Sequence, residues 1–268
     1  MIRIFKYMED SCLRAADAVI TICPDLRDYV LGNNIPEEQH FLIENSIFDD
    51  VQLSKKDDSR STPPSDHIQS IEKQNRFATL LPSDTPIVLY AGTFESYQGI
   101  DILIDSFAHV IKNKQATLVL AGGTPEQVEK KRKHAHDKGI SEHCIFTGRV
   151  PKHEAMQLNS MADVLLSPRV TGTNTPLKIY EQLASGKPLV ATNIYSHTQV
   201  LDNSVCFLVE PEPLPMAEGI LQALDDSSLT KQRVDAASAL YAREYSRNIY
   251  EKKLTDLFTS IRIDCNGD

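Results

Sequence analysis

A succession of short apolar runs, several of them closing on glycine, constrains this chain more than any other feature. Ile87–Ala91 (IVLYA) stops at Gly92, Ala116–Ala121 (ATLVLA) at Gly122-Gly123, and Cys144–Thr147 at Gly148. Ala162–Ser167 (ADVLLS) and the LVAT ending at Thr192 follow, and Cys206–Val209 adds a last short run. Such runs are too short for typical helices and read as buried strands. Between them lie helical patterns. Ile102, Leu103, Phe107, Val110 and Ile111 keep helical spacing, Pro125–Lys138 forms a charged helix, and Glu154–Met161 is helical. Uninterrupted apolar strands joined by helices predict an α/β fold with a parallel sheet covered on both faces. Ligands of such sheets bind beyond the carboxyl ends of the strands, where the glycines gather.

The flanks have a different character. Ala15–Ile22 (AADAVITI) reads as a helix end running into a buried strand, Pro24 opens another helix, and Phe41–Ile43 is a second short strand. From Val51 to about Pro86 the chain is polar, charged and proline-bearing (LSKKDDSRSTPPSD), which predicts a linker, with a short helix around Ile68–Leu81. Residues 230–263 read as one or two amphipathic helices. The expected organisation is therefore an opening segment 1–50, a linker 51–85, a parallel-sheet domain 86–228 and C-terminal helices 229–268.

Composition narrows the function classes. With 268 residues, 41% of them hydrophobic and 24% charged, the chain can fill a core and solvate a surface. A net charge of −9 argues against general nucleic-acid affinity. No apolar run approaches the roughly 18 residues of a membrane span, and the first residues lack a signal-peptide core. Cys12, Cys23, Cys144, Cys206 and Cys265 are odd in number, scattered and without a C-x-x-C pair, a pattern that fits reduced thiols in the cytoplasm. His134, His136, His143 and Cys144 are loosely grouped without a recognised ligand spacing, so no metal is expected there. The run Lys130–His134 sits near Glu126 and Glu129 and reads as a solvated helix face.

The most informative segment is Thr173–Thr192, TNTPLKIYEQLASGKPLVAT. Thr175 is placed as an N-cap and Pro176 as the first helical residue. Gly186 supplies a left-handed stop, with Pro188 beyond it. Free N–H groups and the dipole at such a helix start favour an anionic ligand. Lys178, Glu181, Gln182 and Ser185 share one stripe, which the spacing alone leaves open between a binding edge and an intrahelical ion pair.

On these residues the chain resembles the retaining GT-B glycosyltransferases of glycosyltransferase family four. Members commonly carry a Glu, seven residues and a second Glu that precedes a glycine by five positions. Glu181 stands in that relation to Gly186, while Thr173 occupies the place of the first Glu. IVLYAGTFESYQGIDILIDSF, LVLAGG, FTGRV, MADVLLSPR and LVEPEPLPMAEGILQAL are similar to successive pieces of the family's nucleotide-sugar domain. AADAVITICPDLRDYV and FLIENSIFDD resemble the last pieces of its acceptor-binding domain. Many members place an Arg after the first glycine and a Lys before the second; here those places hold Thr93 and Gln98, as in a subgroup that also carries the K-I-Y-E form.

The resemblance implies a GT-B type fold: one complete Rossmann-like parallel-sheet domain plus a truncated remnant of a second. It implies transfer of a sugar, from a UDP-sugar, to a glycan or lipid-linked acceptor, in the cytoplasm or at the inner face of the membrane. The donor site would comprise Gly92, Thr93, Gln98, Arg149, Val150, Thr173, Asn174, Thr175, Pro176, Leu177, Lys178 and Glu181. Lys178 would add charge at the diphosphate and Glu181 would bind ribose hydroxyls. Arg149 and Val150 would read the base, and Arg169 either faces the cleft or pairs at the surface. No residue stands out as catalytic, and no cofactor or metal is expected. A non-catalytic nucleotide-sugar-binding half, working with a separate chain that supplies the acceptor domain, is the alternative.

Overall fold

The computed structural model describes residues 2–44 and 77–265. Its main sheet has six strands: β3 (Ile87–Ala91), β4 (Thr117–Ala121), β5 (Cys144–Gly148), β6 (Val164–Ser167), β7 (Leu189–Thr192) and β8 (Phe207–Val209). They lie in the order β5-β4-β3-β6-β7-β8 and every pairing is parallel. A separate parallel pair, β1 (Val19–Thr21) and β2 (His40–Leu42), belongs to the opening segment. The expected strands thus fall where the apolar runs lie, within one or two residues at each end.

Alternation along the strands divides the core into two layers. On one face Val88, Tyr90, Leu118, Leu120, Leu166 and Val190 pack against helices Ile100–Val110 and Pro213–Asp225, which contribute Leu103, Ile104, Phe107, Met216 and Ile220. On the other, Leu89, Val119, Leu165 and Leu189 pack against Leu158, Ile179, Leu183 and Ala237. Both faces are covered, which is why these strands read as continuous apolar runs. The chain builds β3, β4 and β5 outward in one direction and then returns to place β6 on the opposite side of β3. At such a reversal the flanking loops part, and a crevice opens beyond the strand ends.

Three expectations change. Phe77 and Leu81, assigned to the linker, are buried in the second core layer, with Phe77 opening a helical turn at Phe77–Leu80. Residues 51–76 of the linker, including 68–76 of its expected helix, fall outside the described residues. The expected boundary at residue 229 lies inside helix Ser227–Leu240, whose Ala237 joins the core. Finally, Lys131 does not share the solvated face of its helix. It is buried at 7% exposure, and its ammonium meets Asp101 at 2.6 Å. His134 and Lys138, on the same helix, reach Asp101 and Asp105 at 2.8–2.9 Å. A helix that must dock on the sheet turns one side inward, and this one sets that side's Lys131 and His134 against carboxylates on helix Ile100–Val110.

The tail continues as a π-helical turn, Tyr241–Tyr245, and helix Arg247–Cys265. Tyr245 packs on Tyr180 with the rings tilted and their centroids 4.8 Å apart, and Lys253 pairs with Glu44 at 2.5 Å. The last helix is therefore tied to the opening segment. Asp25 adds a second tie, its N–H donating to the side-chain oxygen of Gln199 at 2.9 Å.

The turn after β4 shows how closely the strand ends approach. Gly122 has φ +137, and a Cβ there would stand 1.7 Å from the carbonyl oxygen of Gly92. Gly122→Ala should therefore lower unfolding free energy by more than about 2 kcal/mol, the sum of backbone strain and clash. Urea unfolding of the variant checks this, and a change within ~0.5 kcal/mol would contradict it.

Candidate functional site

A cavity of about 380 Å³ opens beyond the carboxyl ends of β3, β4 and β6. Leu89, Ala91, Ala121 and Leu165 form its apolar floor. Gly92, Thr93, Arg149, Val150, Lys178 and Glu181 line it, so the structure brings six of the twelve expected residues together. Arg149 and Val150 arrive there after an irregularity in β5. Leu120 pairs with Phe146 but Ala121 pairs with Gly148, so Thr147 is skipped. Such irregularities re-aim the chain at a sheet edge.

The other six lie outside this lining. Gln98 is joined to the lining through Thr93, its side-chain nitrogen 3.5 Å from the Thr93 hydroxyl. Thr173 to Leu177 turn away. The Thr173 carbonyl accepts from Gln199, the Asn174 carbonyl accepts from Arg169 Nη1 at 3.1 Å, and Asn174 Oδ1 faces Cys23 Sγ at 3.8 Å. Leu177 is 42% exposed. Thr175 does not act as the N-cap, and no side chain caps this helix start. Helix Lys178–Ala184 instead begins after Leu177, itself in helical conformation, while the Pro176 carbonyl accepts from the Ile179 N–H at 3.0 Å. Gly186 adopts φ +68, the left-handed stop the sequence predicts.

Glu95, Gln127, Asn159 and Gln182 also line the cavity, together with Gly122 and Gly123, and none of these is among the twelve expected donor residues. The capping box Thr124-x-x-Gln127 carried a usable signal for one of them, since it fixes a helix start beside the Gly-Gly turn. Gln182 is 8% exposed; its side-chain nitrogen donates to the Leu166 carbonyl at 3.2 Å and its side-chain oxygen has no partner.

Electrostatics single out Lys178. Its ammonium is buried and without a hydrogen-bond partner, and it does not pair with Glu181. It lies 4.4 Å from the centroid of the Tyr90 ring. Burial, with the Arg169 guanidinium adding repulsion, brings its pKa down to about 7. Desolvation raises the Glu181 carboxyl, with Lys152 acting in the opposite sense. A carboxylate and an amine held this way gain stability from an incoming ligand that offers hydroxyl donors to one and negative charge to the other.

Behind the cavity lies a polar cluster that periodicity did not reveal. His197 is fully buried, one ring nitrogen 3.0 Å from the Ser167 hydroxyl and the other 2.9 Å from the Thr192 carbonyl. The Thr192 hydroxyl donates in turn to the Arg169 carbonyl, which holds the chain leaving β6. Arg169 itself faces the Tyr97 ring at 5.1 Å rather than a surface carboxylate.

Comparison with known proteins places these features in context. The model of the family described as Glycosyl transferases group 1 matches residues 71–240. A phosphatidyl-myo-inositol mannosyltransferase of Mycobacterium leprae is 25% identical over 178 residues, which cover 65% of this chain and 46% of that protein. The chain thus spans about half the length of the curated relatives it matches. Among solved structures, Anabaena Alr3699/HepE in complex with UDP aligns with a TM-score of 0.73 at 20% identity, covering 93% of this chain and 65% of that one. The C-terminal domain of a glycosyl transferase group 1 family protein from Francisella tularensis aligns at TM-score 0.56 and 18% identity, covering 64% of this chain and 91% of that domain.

Burial, outweighing the hydrogen bond to the Thr192 carbonyl, lowers the His197 pKa to about 4. Above pH 6.5 the ring is neutral in both the folded and unfolded chain and has no effect. Below it the unfolded chain takes up a proton that the folded chain refuses, so stability falls as pH drops from 6.5 towards 4. The slope from this group should approach ~1.4 kcal/mol per pH unit. His197→Asn should flatten the pH dependence of urea unfolding across that window; an unaltered slope would contradict it.

Proposed function

Because the chain belongs to the glycosyl transferases group 1 family, we propose that it forms the nucleotide-sugar-binding part of a retaining glycosyltransferase. The donor in this reading is a UDP-sugar, and the acceptor a glycan or lipid-linked glycan of cell-surface polysaccharide. Support for the donor class comes from the cavity itself. A buried, unpaired Lys178 ammonium and a half-buried Glu181 carboxylate share one lining at the strand ends. That single juxtaposition carries the reading. The solved structure of HepE, a protein of similar fold, holds UDP, which favours the same base here.

In the proposed transfer the bond from the sugar's anomeric carbon to the diphosphate oxygen breaks while the acceptor oxygen adds on the same face. Negative charge grows on the departing diphosphate. Groups aimed at that charge lower the barrier most, and Lys178 with the backbone near Gly92 and Thr93 fills the role. Glu181 accepts from ribose hydroxyls, and Arg149 and Val150 face the base. This division asks nothing of a metal ion. The acceptor side would come from another domain or a separate chain. Among the described residues no helix is long and apolar enough to cross a membrane.

A second reading, a donor-binding half without turnover, is favoured by Thr173. It stands where the family resemblance expects a carboxylate, and its carbonyl is tied to Gln199 outside the cavity. A hydroxyl cannot take a proton at neutral pH. Steady release of UDP from a UDP-sugar by this chain with acceptor would decide against it.

Calorimetry with UDP-glucose, GDP-mannose and ADP-glucose tests the donor site. Saturable binding of at least one is expected, and none by a folded sample would end the proposal. Glu181→Ala should weaken binding by roughly 10–100-fold, the loss of a charge-assisted hydrogen bond. A bound diphosphate favours charged Lys178, so affinity should be greatest below pH 7 and fall by up to about tenfold per unit above it. A pH-independent affinity between 6.5 and 8.5 would remove Lys178 from the site.

A further inference from the structure

Tyr90 occupies a core position of β3 and has no exposed surface, so strand alternation assigns it to packing alone. Two of its contacts do more. Its hydroxyl donates to the Thr93 carbonyl at 2.7 Å, and its ring lies 4.4 Å from Lys178 Nζ. The turn between is fitted around the hydroxyl: a Cβ at Gly92 would stand 2.7 Å from it. Across the ring, Lys178 has no hydrogen-bond partner for its ammonium. Attraction to a π face is strongest where water is excluded, so this ring is what favours a charged ammonium there.

We propose that Tyr90 is a positioning residue for the nucleotide-sugar site. Its ring holds the Lys178 ammonium at the cavity wall and its hydroxyl holds the Thr93 carbonyl. One core side chain thereby sets the spacing between the glycine turn after β3 and the helix that carries Glu181. The assignment rests on reading the cavity as a sugar-nucleotide site. Holding both sides before the ligand arrives removes ordering cost from binding. The charged groups that act on Lys178 from neighbouring elements are few. Arg169, from the chain after β6, opposes its charge; His197, from the turn Tyr195–Thr198, stays neutral above about pH 4; Glu181 lies on its own helix.

The test combines two measurements on wild type, Tyr90→Phe and Tyr90→Leu. In NMR spectra the Lys178 Hε protons should be shifted upfield by the ring in wild type and Tyr90→Phe, and return to ordinary positions in Tyr90→Leu. Affinity for the tightest-binding of UDP-glucose, GDP-mannose and ADP-glucose, followed from pH 5.5 to 8.5, gives the second readout. These ligands carry no phosphate that titrates in that range. Tyr90→Phe keeps the ring and loses the Thr93 bond, so it should bind several-fold more weakly with the same pH midpoint. Tyr90→Leu should lower the midpoint by about one unit, because the charged amine loses its π partner. Lys178→Met should abolish the pH dependence, identifying the titrating group. An unchanged midpoint in a folded Tyr90→Leu overturns the role of Tyr90 and leaves the sugar-nucleotide site standing. Absence of binding by wild type overturns both. Should Tyr90→Leu fail to fold, ordinary Lys178 Hε positions in wild type overturn the proposal by themselves.

Discussion

Parallel pairing is the constraint on which the rest of this molecule depends. A parallel strand can be followed by another only through a crossover, and the crossovers here bury both faces of the main sheet. Because every strand points the same way, every carboxyl end lies along one edge, and the turns leaving β3, β4, β5 and β6 are collected there. The cavity is a consequence of that geometry. It opens where β3 separates β4 from β6, the place where the order of construction reverses.

Turns crowded at one edge must approach each other closely, and small residues make this possible. Gly122 sits against the backbone of Gly92, and Gly92 sits against the hydroxyl of Tyr90. Behind them the buried Ser167, His197 and Thr192 hold the start of the loop after β6 through the Arg169 carbonyl. A fully satisfied polar cluster of this kind rigidifies its surroundings. Lys178, on the lining of the same cavity, keeps a buried ammonium that has the Tyr90 ring beside it but no hydrogen-bond partner.

Much of the fold was legible because burial on two faces leaves a plain mark in composition. IVLYA and ADVLLS contain β3 and β6 because both sides of each strand meet apolar neighbours. The charged helix beginning at Pro125 was equally visible from its run of charged residues, and the structure adds a capping box of Thr124 and Gln127 at its start. Phe77 was not legible. A single aromatic after a polar, proline-bearing stretch has no period, and only the shape of the second core layer gives it a place. The same holds for Lys131, whose inward turn depends on where Asp101 stands across the helix pair.

For the site, sequence spacing determined that Lys178 and Glu181 lie one turn apart on a helix stopped by Gly186. It also determined that Gly92 and Gly122 end successive strands. Those are local facts, set by helix and strand periods. Tertiary structure decided which neighbours these residues face. It turned Thr173 towards Gln199 and Asn174 towards Cys23, and brought Gln127, Asn159 and Gln182 to the lining from three separate helices. It also placed the Tyr90 ring beside Lys178, across 88 positions of sequence. Contacts at such separation depend on how the layers stack, and no local period encodes them.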